Sequence, residues 1–346
     1  MPPAIPSTER LLVLVDQLAS QPVLMLVDLV ADRFITGTPK RISREAPVLI
    51  LRHEDDQLFP GGGANAVANV AALGGRPLPV GIVGEDASGE ELVAALAARG
   101  IPTTGIRRRA GYRTPTKVRI LAGGPHAIKQ QVVRYDIEGE LTLAAEDRAF
   151  LEAEVHRLAG VARLAVLSDY GYGAVDPALV APCRAAVGEE GTVVCDSRYR
   201  LAAFRGLDGA TPNEEEAEAM LGGRLGDAAT LRAGGRALRE RLGARFLLVT
   251  RGSLGMALFE EGGYAQVPVH GTDQVADVTG AGDTVIGTFA LALAAGGTPL
   301  EAAMLANYAG GVVVMKRGTA TLSPQELRAA VRRDPDLPRA VRWETG

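Results

Sequence analysis

Apolar residues recur along this chain in two rhythms, and the point where each takes over predicts the elements. Residues 8–20 carry leucine and valine at helical spacing up to Pro22, which predicts a helix. The continuous apolar run Val23-Leu-Met-Leu-Val-Asp-Leu-Val30 suits a strand buried on both faces of a parallel sheet, with Asp28 and Asp32 near its C-terminal end. Residues 33–59 then break the pattern into short β-like pieces, Phe34-Ile-Thr36 and Val48-Leu-Ile-Leu51. A glycine turn, Pro60-Gly-Gly-Gly-Ala-Asn65, leads into a helix from Ala64 to Leu73.

From Leu78 strand and helix alternate, with Ser88-Gly-Glu-Glu91 as a capping box and Gly100 as a stop. A second interruption covers Thr104 to Asp136, where Thr116 to Leu121 and Gln130 to Asp136 have hairpin character. Beyond it the pattern predicts helix 144–158, strand 164–169, helix 176–187, strand 192–196, helices 213–221 and 228–242, and strand 246–250. Such alternation means a parallel sheet covered by helices. Asp169, Asp196, Thr211-Pro-Asn213 and Thr250-Arg-Gly252 fall after strands, where open α/β sheets bind ligands. The segment Arg332 to Gly346 reads as a loosely held tail.

The stretch Asp277-Val-Thr-Gly-Ala-Gly-Asp-Thr284 carries the strongest chemical signal. A tight turn opens directly into the apolar run 285–295, and a second helix follows from Pro299 to about Met315. Unpaired amides and the helix dipole at such a terminus attract anions, phosphate above all. Glycines at 280 and 282 let a phosphoryl group approach the backbone, and Asp283 in the first turn suits a base for an attacking hydroxyl. An Asp capping a helix after a glycine turn shows the same pattern, so these residues alone leave both readings open. A dinucleotide fingerprint fails because Val285 replaces its third glycine and no strand follows the helix; no P-loop motif occurs.

Composition narrows the class. The chain has 346 residues, 47% of them hydrophobic, enough for one large α/β domain or two smaller ones. Its apolar runs fall short of the roughly 20 residues of a membrane span, and no signal peptide is evident, which predicts a soluble cytoplasmic protein. Two cysteines, Cys183 and Cys195, and four scattered histidines imply neither a disulfide framework nor a zinc site. A net charge of −4 argues against nucleic acid or a membrane surface as partner. Across 33–52 and 104–136, however, thirteen Lys or Arg face only Glu45 and Asp136. If the two interruptions form one β lid, it is cationic and suited to a sugar phosphate; a solvated basic face is the alternative, above all for Arg107-Arg-Arg109.

Pro60 to Asn65, Thr211-Pro-Asn-Glu-Glu-Glu216 and Asp277 to Asp283, in that order, resemble the signatures of the ribokinase-type (PfkB) carbohydrate kinases. Arg41-Ile-Ser-Arg-Glu-Ala-Pro47, Thr116-Lys-Val-Arg119, Gln130-Gln-x-x-Arg-x-Asp136 and Leu167-Ser-Asp-Tyr170 are similar to the bacterial D-glycero-D-manno-heptose 7-phosphate kinases within that family. Those kinases are often fused to a C-terminal nucleotidyltransferase; as this chain stops at residue 346, the stand-alone kinase is expected. The resemblance implies one ribokinase-like domain over 1–346, a three-layer α/β sandwich with a mostly parallel sheet and a β lid at about 33–59 and 104–136. It implies ATP and Mg²⁺, leaves room for a monovalent cation, and makes a homodimer through the lid edges the expected assembly.

Roles follow for matching positions. Asp283 corresponds to the base, with Gly280, Ala281 and Gly282 as an anion hole. Asn213 and Glu216 match an element that organises Mg²⁺ through water, and Thr250, Gly252 and Asn307 fall at the nucleotide pocket. Asp32, Gly62, Asn65, Lys117, Gln131, Arg134, Asp169 and Arg198 match sugar-side positions. Val27-Asp28-Leu-Val-Ala-Asp32 in place of Gly-Asp-x-x-x-Asp, Arg198 in place of lysine, and the longer hairpin at Gly123-Gly-Pro-His126 depart from the pattern. These departures bear on the sugar, with fructose 1-phosphate, ribose or a non-catalytic sugar sensor as the rival readings.

Overall fold

A computed structural model describes residues 4–124, 129–139, 141–271 and 276–345. The core is a ten-stranded sheet. From one edge it runs Ile106–Arg109, Arg76–Gly84, Pro22–Val27, Leu164–Asp169, Thr192–Ser197, Gly209–Ala210 and Phe246–Thr250, all parallel, then Met256–Glu260, Gly263–Val267 and Arg342–Thr345, antiparallel. Strand side chains alternate between two apolar layers: Val23, Met25 and Val27 enter one and Leu24 and Leu26 the other. Helices Thr8–Gln17, Gly63–Ala72, Ala87–Ala97, Ala281–Ala294, Pro299–Val313 and Pro324–Arg333 cover the first layer. Helices Ala145–Arg157, Val180–Val187, Glu214–Leu221 and Ala228–Leu242 cover the second, which completes the expected three-layer sandwich. None of the described helices is long and apolar enough to cross a membrane.

A separate four-stranded sheet, in the order Leu49–Gly62, Leu29–Ile42, Thr116–Ala122 and Gln130–Ile137, stands over the C-terminal ends of the parallel strands. Here the structure corrects the sequence reading. The apolar run 23–30 is two strands, because the chain turns at Asp28. Its buried carboxylate accepts the backbone N–H groups of Tyr170, Tyr172 and Ala174 at 2.8–3.0 Å. Burial and the nearby Asp169 push the Asp28 carboxyl up to about 6 against the pull of those three donors. The short pieces expected between 33 and 59 are two strands of 14 residues each, paired almost end to end.

The second interruption also divides. Ile106–Arg109 belongs to the edge of the main sheet, and only residues from Thr116 onward join the lid. Arg107 and Arg109 pair with Asp147 and Glu146, and Arg108 pairs with Glu90, so these arginines are bound to helix carboxylates and not left to solvent. Much of the lid's apparent excess charge is balanced too: Arg33 pairs with Asp56, Lys129 with Glu54 and Arg119 with Asp32. Glu54, Asp55 and Asp56 lie just beyond residue 52 and supply two of these partners. Of the Gly123 to His126 insertion, Pro125 and His126 lie outside the described residues.

Two smaller expectations change. The helix after Gly84 is capped by Asp86, which accepts from the N–H of Gly89 at 2.8 Å and also holds Thr114, so Ser88 lies inside the helix. The C-terminal segment is not a loose tail. Leu337 and Val341 are buried in the core, and Arg342–Thr345 closes the sheet beside Gly263–Val267. Leu337→Ala should therefore lower unfolding free energy by about 2–5 kcal/mol in denaturant titration, the cost of a core cavity. A change within about 0.5 kcal/mol, as on a mobile surface, would restore the tail reading.

Candidate active site

Helix Ala281–Ala294 begins where Gly280 takes a left-handed conformation, φ 78°. The amides of its first turn have no preceding turn to bond, and ten of its residues from Asp283 to Ala292 are buried. The two glycines here do different work. A Cβ on Gly280 would come within 2.5 Å of Asn65 Nδ2, so its freedom serves the turn and its packing. A Cβ on Gly282 would meet nothing within 4 Å, because Gly282 faces open cavity.

Asp283 is almost wholly buried, 3% exposed. The Asn65 side-chain amide donates to Oδ2 at 3.0 Å, and the Tyr170 hydroxyl donates to Oδ1. Asn65 is held in turn by Asn69, which also accepts from Thr284. Burial pushes the Asp283 carboxyl up to about 6, and the Tyr170 and Asn65 bonds restrain that rise. The helix bearing Asn65 is locked by the glycines before it: a Cβ on Gly61 would strike the Asp32 carboxylate at 2.6 Å, and one on Gly63 the Asp28 carbonyl at 2.7 Å. The triple glycine is thus a close-packed junction between lid and core, not a flexible loop.

Two cavities open at this helix terminus, and a third adjoins them under the lid. One of about 370 Å³ under the lid is lined by Lys117, Arg134 and Arg198, with Tyr170, Tyr172, Tyr199 and the carboxylates Asp136 and Glu138. A second, about 450 Å³, is lined by Asp169, Asp196, Asn213, Glu216, Thr250 and Gly282. The third, about 400 Å³, is largely apolar, with Met256, Val269, Val285 and Val314 beside Gly252, Ala281 and Asn307. Tyr170 and Arg198 border the first two, and Thr250 and Gly282 the last two, so the three lie in a row as a trench divided by these side chains.

Most of the residues singled out from sequence come to this trench, some already engaged. Asp32 is buried against Arg119, and Gly62 and Asn65 pack beneath the lid junction. Lys117 is half-buried, its Nζ 5.3 Å from the Tyr170 ring centroid, and burial lowers its pKa. Arg134 is half exposed and paired with Asp136. Asp169 accepts from Ser197 and Arg200, both at 2.6 Å, and from the Gly171 N–H. Asn213 and Glu216 close a capping box at 2.9 Å each way, and the Asn307 amide donates to the Pro268 carbonyl. Gln131 is exposed on the outer lid strand and lines none of the three cavities. Sequence reasoning put Asp196 at the ligand-binding edge of the sheet without a role and gave Tyr170 none. Burial and its neighbours Glu216 and Asp283 hold the Asp196 carboxyl far above its ordinary value.

A glycine helix terminus with a buried carboxylate, set between a basic and an apolar cavity, is an arrangement for moving a phosphoryl group. The chain belongs to the pfkB family of carbohydrate kinases, whose pattern matches residues 23–326; it is a phosphotransferase with an alcohol group as acceptor. It is 38% identical over 331 residues to the bifunctional protein HldE of Mesorhizobium japonicum and 42% identical over 328 residues to that of Alkalilimnicola ehrlichii. Those alignments cover 94% and 93% of this chain but 65% and 66% of the relatives, so the chain spans about two thirds of their length. Escherichia coli phosphofructokinase-2, in complex with substrates and products, shares the fold at a TM-score of 0.73 and 20% identity, covering 90% of this chain and 99% of that one. Arabidopsis thaliana ribokinase, complexed with ribose and ATP, does so at 0.70 and 22%, with the same coverage.

The unlike glycines give a test. Gly280→Ala should cost about 1–2 kcal/mol in thermal unfolding through the strained left-handed residue and the displaced Asn65. Gly282→Ala should leave the midpoint within about 1 °C while weakening nucleotide binding at least about tenfold in calorimetry. Equal stability losses in both variants would mean that Gly282 serves packing as well.

Proposed function

We propose that this chain is a cytoplasmic ATP-dependent kinase that phosphorylates the anomeric hydroxyl of D-glycero-D-manno-heptose 7-phosphate. The observation that carries the proposal is the row of adjoining cavities along the trench. Its basic end under the lid suits a phosphorylated sugar, its apolar end suits a purine, and Gly282 lines the stretch between them, with Asp283 buried next to it in sequence. In this reading Asp283 accepts the proton of the attacking hydroxyl, and the amides after Gly280 face the charge on the transferring group. Lys117 and Arg198 meet the sugar phosphate, and Thr250, Gly252 and Asn307 border the nucleotide.

The residues of the middle cavity fit a hydrated Mg²⁺. An ion of this kind is held by one or two carboxylates, water and phosphates, and no cluster of three metal-ligating side chains occurs among the described residues. Burial, with like charge nearby, holds the carboxyls of both Asp196 and Glu216 above their ordinary values, and a cation would relieve that repulsion. When bound, the ion would neutralise charge on the phosphates; Glu216 and Asp196 would hold its water shell. Asp136 and Glu138 on the basic cavity keep a less charged sugar as the second reading.

A coupled assay over phosphorylated and neutral sugars decides between them. Turnover should be greatest with the heptose 7-phosphate, and Lys117→Ala should raise its KM about tenfold or more with little effect on a neutral analogue. Preference for a neutral sugar would refute the heptose assignment and leave a carbohydrate kinase of another specificity. Asp283→Asn should lower kcat by several orders of magnitude. The acid limb of kcat/KM should lie near pH 6, with activity falling as the carboxylate takes up its proton below that value. Near-normal turnover by Asp283→Asn would remove Asp283 from the base role.

We also propose a homodimer through the lid. Its strands turn Lys117, Arg119 and Asp32 toward the core, and the alternation sends Ile35, Ile120 and Val133 outward. With Val48, Leu49, Leu51 and Val132 these line an apolar hollow of about 520 Å³, so the lid offers a face as well as edges. Light scattering should report a dimer that Leu49→Asp with Val133→Asp converts to monomer. A wild-type monomer at assay concentration would contradict the proposal.

A further inference from the structure

We infer that Tyr170 is a positioning residue for Asp283: its hydroxyl fixes the orientation of the reacting carboxylate at the point where the basic and middle cavities join. The inference rests on Asp283 acting as the base. Tyr170 is fixed from every side. Its backbone N–H donates to Asp28 at 2.8 Å, its ring lies against Gly62, where a Cβ would come within 3.3 Å of Cε2, and Lys117 Nζ stands over the ring. Its hydroxyl then reaches Asp283 Oδ1 while Asn65 holds Oδ2. One donor on each oxygen stops the carboxylate from rotating and leaves a lone pair on each for an incoming hydroxyl. Tyr170 lines both cavities, so this bond sits where acceptor and phosphoryl group would meet.

The same bond sets when Asp283 is ionised. Burial raises its pKa, Asp32 adds to the rise, and Lys117 opposes it; Asp196 is a further carboxylate close by, and the Arg198 charge acts on the Tyr170 phenol. Of the interactions that favour the carboxylate, the Tyr170 hydrogen bond is the largest. Burial and the Asp283 charge hold the phenol proton in place, so Tyr170 donates throughout the working pH range. Removing the donor disfavours the charged form, which sends the Asp283 pKa upward.

The test is the pH dependence of kcat/KM. Tyr170→Phe keeps the ring between Gly62 and Lys117 and should move the acid limb upward by about one pH unit, with KM for both substrates changed less than about threefold. Fluorotyrosine at position 170, a stronger donor, should move the limb downward. A uniform loss of activity with the limb unmoved in both proteins would reduce Tyr170 to packing and overturn the inference. If Tyr170→Phe does not fold, the fluorotyrosine protein decides alone. Asp283→Asn assayed alongside separates the two claims: high activity there defeats the base assignment, whereas an inactive Asp283→Asn with an unmoved limb defeats only the role of Tyr170.

Discussion

A carboxylate can stay charged inside a protein only if donors replace the water it has lost, and the architecture around Asp283 supplies them from separate parts of the chain. Asn65 comes from the helix behind the returning lid strand, and Tyr170 from the loop after a central strand. Asp283 itself opens a helix packed between the Asn65 helix and Pro299–Val313. The three elements meet only when the parallel sheet, the lid junction and the buried helix have all formed. The site is therefore a product of tertiary assembly, and the glycines at 61, 62 and 63 set how closely its parts approach.

Asp28 performs a second act of joining. It sits where the core strand gives way to the lid, and it fixes the loop that carries Tyr170 and Tyr172. A single buried acid thus ties the starting point of the lid to the wall of the basic cavity. The price in desolvation is visible in its raised pKa, and three backbone donors offset much of it.

Long periodic segments were legible from sequence because one physical rule governs each. Strands Leu164–Asp169 and Phe246–Thr250 end where their apolar runs end. The lid was harder to read, since residues 52–57 are almost all polar and hold a strand only through pairing with Leu29–Ile42. Arg107 to Arg109 looked like solvent-facing charge because their partners, Glu90, Glu146 and Asp147, lie on helices distant in sequence. Glu216 shows another limit: the spacing that marks a metal site also marks a helix cap, and the structure shows the cap formed. Tyr170 was quoted within a motif without a role, as nothing in a strand-ending tyrosine says that its hydroxyl turns toward a carboxylate 113 residues away.

The main sheet is open at both ends, and a ten-stranded sheet with bare edges is a template on which further copies could add strands without limit. Each terminal strand here is only four residues long. One carries Arg107, Arg108 and Arg109, and the other carries Arg342 and Glu344. A neighbouring chain would find few backbone groups to pair with. The run Arg107 to Arg109, read from sequence mainly as a solvated face, thus lies on a strand too short to serve as such a template.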